Sequence, residues 1–234
     1  MIEQLPLYVS LIFIVTALLT VWLFLKSLGP GQAASLPARL LLFLIPFWFI
    51  LQGVLGIGDF YHYTDTFPPR VFLFGVFPVL LLIAVYFAFF RKKLVEGLST
   101  KVLTILHVVR IPVEFVLLWL FQSGQVPRQM TFEGWNLDIL SGLTAPIIYF
   151  LAFRNGKINR PLLIVWNLAA LGLLANVVTI AFLSFKSPMQ QIAFAQPNIA
   201  ITYFPFIWLP TIVVPAVLFA HLAALWNLLK RREK

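Results

Sequence analysis

The stretch KVLTILHVVRIPVEFVLLWLF, residues 101–121, has the length and apolarity of a membrane-crossing helix, yet it carries His107, Arg110, Pro112 and Glu114 in its middle. About 20 mostly apolar residues suffice to cross the hydrocarbon core of a bilayer. A charge at the bilayer centre costs at least ~2.5–3.5 kcal/mol on insertion scales, so such a segment turns its polar side chains toward protein. At about 100° per residue, His107, Arg110 and Glu114 fall within about 60° of one another, with Thr104 one turn earlier on the same stripe. This helix therefore needs neighbours, and its polar face points into a bundle.

Six further apolar runs supply them: 6–26, 38–57, 70–90, 136–153, 161–185 and 206–229. The pattern predicts an all-α integral membrane protein, a single domain of seven transmembrane helices whose first partner is the lipid bilayer. Composition agrees, since 61% of the 234 residues are hydrophobic and 11% charged, against about a quarter charged in soluble domains. The first run lacks a basic leader and a small-residue cleavage site, so it reads as a retained helix. With no cysteine, disulfides, iron–sulfur clusters and thiolate metal sites are excluded. The net charge of +9 does not point to nucleic acid, because the basic residues sit in short clusters between apolar runs.

Those clusters set an orientation. Lys26, Arg39, Arg91, Lys92, Lys93, Lys101, Arg154, Lys157, Arg160, Lys230, Arg231, Arg232 and Lys234 fall in alternate connections and the C-terminal tail, whereas the opposite side has Arg70, Arg128 and Lys186. An excess of Lys and Arg marks the cytoplasmic side, which predicts the N-terminus outside and the C-terminus in the cytoplasm. The compact, loop-poor chain with no targeting peptide predicts a bacterial inner membrane. The outer connections GDFYHYTDTFPPR (58–70), QSGQVPRQMTFEGW (122–135) and KSPMQQIAFAQPNIAITYFP (186–205) are long and aromatic. They are expected to fold back over the outer mouth of the bundle, or to present Tyr61, Tyr63, Trp135 and Tyr203 as an interfacial belt. In the last run Ala216, Ala220 and Ala224 recur every four residues and allow close helix approach, so His221 beside them faces protein. Ser141 and Ala145 play the same part in the fifth run.

Chemistry is expected where the membrane is polar. Arg110 and Glu114 are spaced to pair along one face. Pro112 between them frees the carbonyl of Val108 and predicts a kink. Asp138, in WNLDILSGLTAP, lies at a depth that lets it join them. Arg110 then reads as an anion anchor, Glu114 and Asp138 as proton-exchanging or cation-binding groups, and Asn176 as a neutral lining residue. A desolvated carboxyl with a second acid nearby is a candidate proton carrier. This reading makes the chain a small transporter or a ligand- or proton-binding protein with its site between the fourth and fifth spans, open toward the outer loops. The plainer reading of the same residues is a static ion-pair network that fixes helix register.

Two rival sites share the chain. His107, Asn167 and His221 lie roughly 9–12 Å from the cytoplasmic ends of their helices. His107 and His221 are candidate haem or divalent-metal ligands for a membrane oxidoreductase, although no HxxxH, HExxH or CxxCH spacing accompanies them. Asp59, His62 and Asp65, at three-residue intervals in the first outer loop, are a candidate divalent-cation site. No catalytic motif is present, so a non-enzyme without cofactor is favoured; a structural subunit of a membrane complex, with partner proteins, is the remaining alternative. A retinal protein needs a lysine in its last helix, and 206–229 has none.

Overall fold

The structure is a computed structural model and describes residues 2, 5–29, 34–154 and 156–230. It is all-helical, with 70% helix and no strand among the described residues. The α-helices are α1 (Leu7–Lys26), α2 (Leu36–Ile57), α3 (Phe77–Phe89), α4 (Thr100–Leu106), α5 (Arg110–Gln122), α6 (Ile139–Ala152), α7 (Arg160–Leu183) and α8 (Val214–Lys230). A π-helical stretch, Val71–Val76, leads into α3, and another, Leu209–Val213, leads into α8. Ser35, Ser99 and Asn159 cap α2, α4 and α7 with side-chain oxygens that accept backbone N–H groups, the usual remedy for the unpaired donors of a helix start.

Among the described residues six helical segments are long and apolar enough to cross a membrane: Leu7–Lys26, Leu36–Ile57, Val71–Phe89, Thr100–Gln122, Arg160–Leu183 and Leu209–Lys230. That fits an integral membrane protein. The expected fifth span, 136–153, is helical only over the 14 residues of α6. At 1.5 Å per residue it covers about 21 Å, less than a hydrocarbon core of about 30 Å. The shortening has a polar cause. Asn136 and Asp138 leave the helix to bond Glu114 and Arg110, and at the other end Phe153 departs from helical geometry with φ −116° and ψ 54°.

The polar span breaks where its charges sit. A 3₁₀ turn, His107–Val109, joins α4 to α5, just before Pro112, which offers no N–H to Val108 and crowds its carbonyl. Helix α8 lies centrally, against α1, α3, α4 and α7, with Ala220, Ala223 and Ala224 buried in the contacts. Helix α6 packs on α4, α5 and α7. Helix α2 is tied on by scattered hydrogen bonds: Trp48 Nε1 donates to the Thr211 carbonyl, Gln52 Nε2 to that of Phe74, and Trp208 Nε1 to that of Phe49.

At one end of the bundle the loops are stitched together. The amides of Ile199 and Ala200 donate to the Gln125 carbonyl, and Gln196 donates to the carbonyls of Phe121 and Val126. Tyr61 is buried and donates to Gln52 Oε1 at 2.6 Å. Burial pushes its phenol up to about 12, so it stays a donor. Tyr63 and Trp135 are exposed, as an interfacial belt requires. Lys230, at the end of α8, pairs with Glu96 at 2.6 Å; Arg231, Arg232 and Lys234 lie outside the described residues.

Gly142 is where α6 meets the start of α5. A Cβ there would lie 2.8 Å from Cγ1 of Ile111 and 3.0 Å from its amide nitrogen. Gly142→Val should therefore destabilise the detergent-solubilised protein by about 1–3 kcal/mol through overpacking. Gly172, with open space at the same position, should tolerate alanine without loss of melting temperature. Equal behaviour of the two variants in thermal unfolding would contradict this packing.

Candidate functional site

Arg110 is the first residue of α5 and is 3% exposed. Its NH1 lies 2.9 Å from Asp138 Oδ1 and donates to the Ala170 carbonyl at 3.2 Å. Its NH2 donates to Nε2 of His221 at 3.2 Å. Asp138 stands at the cap position of α6, its amide donating to Asn136 Oδ1 at 2.9 Å and its Oδ1 accepting from Ser141 Oγ at 3.4 Å. One guanidinium thus joins α5 to α6, α7 and α8.

One turn further along α5, Glu114 is fully buried. A single nitrogen serves both of its oxygens: Asn136 Nδ2 lies 2.7 and 2.8 Å from them and 2.9 Å from the Met130 carbonyl. An amide carries two hydrogens, and a carboxylate offers about four acceptor positions. Two hydrogens shared among three acceptors leave Glu114 with acceptor capacity to spare. Arg110 Nε is buried with no hydrogen-bond partner among the described residues.

Both residues border a cavity of about 330 Å³, as does Asp138. The rest of its lining is apolar and comes from α3, α5, α7, α8, the two π-helical stretches and the loops. Phe77, Leu80 and Val178 line it and are also exposed, so it opens sideways between α3 and α7. The expected opening toward the loops is closed instead. Met130 and Ile201 line the cavity and are buried, because the loops that carry them bond to each other across the end of the bundle.

Beneath the cluster the rings of His107 and His221 stack, 3.9 Å between centroids and 23° between planes. Arginine only donates, so Nε2 of His221 is an acceptor. Its Nδ1 then carries the hydrogen and donates to Asn167 Oδ1 at 2.8 Å, while Asn167 Nδ2 donates to the Leu163 carbonyl at 2.8 Å. Neither nitrogen of His221 is left to hold an iron or another metal, and stacked rings do not aim at one ion between them. Both nitrogens of His107 lack a partner among the described residues, and its ring meets Trp166 at 5.3 Å.

In the first loop, His62 Nδ1 lies 3.2 Å from Asp59 Oδ1, and the His62 ring packs on Tyr203 at 4.1 Å. Asp59 and Asp65 are exposed. No group of three or more His, Asp or Glu side chains gathers as a metal ligand set among the described residues. Asn176 is exposed, away from the cavity lining, and donates to the Trp135 carbonyl at 2.8 Å; it anchors a loop.

Asn136 is the site residue that helical periodicity overlooks, because its partner Glu114 is 22 positions away. Its one local signal is an asparagine two residues before an acid at a helix start, where the side chain caps the following amide. Removing the carboxylate with Asp138→Ala strands a buried guanidinium and should cost on the order of 3–5 kcal/mol in denaturant unfolding. Ser141→Ala, which loses one long contact, should cost about 1 kcal/mol or less.

No curated protein and no solved structure matches the chain. A family model does, over residues 68–229, a span that holds α3 to α7, almost all of α8, the charged cluster and the cavity. The chain belongs to that family, described as a domain of unknown function, DUF8737.

Proposed function

We propose that the chain is a single seven-helix membrane domain that binds an amphipathic small molecule within the bilayer, acting as a small transporter or ligand-binding protein. Glu114, Arg110 and Asp138 form the polar end of its site. One observation carries this reading: an apolar cavity of about 330 Å³ opens toward the lipid-facing surface, and among the described residues its charged lining is confined to those three. Pockets of this size are ordinary for small ligands and combine apolar walls with a few convergent polar groups. Intramembrane ionisable side chains mark ligand and ion pathways. Glu114 is the proton-exchanging member, because its two oxygens share one neutral amide with the Met130 carbonyl while Asp138 has the arginine as its partner.

In this reading α6 is the seventh crossing. Local thinning of the bilayer or extension by flanking residues accommodates a short span at modest cost. The positive-inside rule places the N-terminus outside and the basic end in the cytoplasm, in a bacterial inner membrane. The native chain has no cysteine, so single cysteines report topology directly. Gln122→Cys should react with a membrane-impermeant maleimide applied to intact cells, and Lys157→Cys should react only after lysis; the reverse pattern inverts the orientation.

Binding is tested in lipid nanodiscs with dodecyl probes that carry a mid-chain diazirine and a hydroxyl, ammonium or sulfonate head. At least one should label α3 and α7 saturably around Phe77, Leu80 and Val178. Val178→Trp, at the mouth, should weaken that labelling about tenfold or more, equivalent to about 1.4 kcal/mol. Unsaturable labelling by all three probes, spread evenly over the lipid-facing helices, would overturn the binding reading.

A further inference from the structure

The polar end of the cavity is specific about what it still lacks. Arg110 has spent its charge: Asp138 neutralises it at 2.9 Å, and the Ala170 carbonyl and His221 take further N–H groups. Three of its five N–H groups are used in this way, and of its nitrogens Nε is the one left buried and unpartnered among the described residues. That is a donor without an acceptor. Glu114 is the complement, an acceptor whose two oxygens share one amide with the Met130 carbonyl. The two residues sit one turn apart on the same helix face, and both line the cavity.

We infer that the ligand's polar end is a hydroxyl, so that the site takes a long-chain alcohol. Its O–H donates to Glu114, its oxygen accepts from Arg110 Nε, and its apolar chain lies in the cavity and leaves between α3 and α7. This rests on the binding reading above and adds the class of ligand. A hydroxyl combines one donor with acceptor lone pairs in a single atom. An ammonium donates to Glu114 but has no lone pair for Nε, and it brings a second cation to Arg110. A sulfonate, phosphate or carboxylate accepts from Nε but faces Glu114 and Asp138, with Arg110, the only cation among the described residues that line the cavity, already paired. Among the apolar walls of the cavity like charges are poorly screened, and each unmet polar group raises the cost of the wrong head.

The test compares the three diazirine probes on the unaltered full chain in nanodiscs at neutral pH. The hydroxyl probe should half-saturate the α3–α7 labelling at a concentration at least about tenfold below the ammonium and sulfonate probes. Saturable labelling in which the ammonium or the sulfonate probe matches or beats the hydroxyl probe overturns the alcohol assignment and leaves the binding reading standing. Saturation by none of the three removes the binding reading itself. Glu114→Gln keeps the shape and replaces the carboxyl by an amide, so it should reduce the hydroxyl-over-sulfonate preference to about threefold or less. A preference unchanged in Glu114→Gln overturns the role given to Glu114, and the three probes on the unaltered chain decide the question should that variant fold poorly.

Discussion

The structure depends on the pairing of Arg110. A guanidinium among apolar helices has no water to fall back on, so each N–H it can satisfy must be satisfied by protein. Asp138, the Ala170 carbonyl and His221 do this from three different helical elements. The register of α5 against α6, α7 and α8 is therefore fixed at one point. The closeness this requires also explains Gly142, since α6 presses its backbone to within contact of Ile111 beside the arginine. His221 is drawn in as an acceptor, which sets its tautomer and passes the order on to Asn167.

The same pairing accounts for what could and could not be read from the chain. The stripe of His107, Arg110 and Glu114 follows from helical periodicity alone, and the alanine row of the last run places His221 toward protein, where it is fully buried. These are local patterns, and local geometry carries them. The length of α6 is not local. Hydropathy sees an apolar run from 136 to 153, but the demands of Glu114 and Arg110, more than twenty positions earlier, pull Asn136 and Asp138 out of the helix. Asn176 fails for a related reason: a polar residue on a membrane helix reads as lining, yet a loop carbonyl on the lipid-facing side, that of Trp135, is an equally good partner. The sideways opening was out of reach as well, because it arises from how the loops bond to one another.

The π-helical stretches help to shape the cavity behind that opening. A π turn accommodates an extra residue and often marks functional positions. Both lie at the same end of their helices, before α3 and before α8, and they face each other where Gly75 meets Thr211. Phe72 and Val76 from one, and Leu209, Pro210 and Val213 from the other, line the cavity. Phe72 also closes against Phe182 and Phe185, so α3 and α7 are joined at the loop end, and the mouth at Phe77, Leu80 and Val178 lies beyond that contact.

Arginine and glutamate on one helix face thus divide the work. A lone cation in this position would be costly, and a lone anion no less so. Asp138 settles the first problem completely enough that Arg110 becomes part of the scaffold, with its Nε–H still unpartnered among the described residues. Glu114 is treated differently: it receives a neutral amide and no cation of its own, and that amide is shared with a backbone carbonyl. A framework built only to bury charges would have paired both acids. Leaving one acid short, at the edge of a cavity, costs stability that packing elsewhere offsets, and that is the pattern expected where a binding site and a scaffold are built from the same residues.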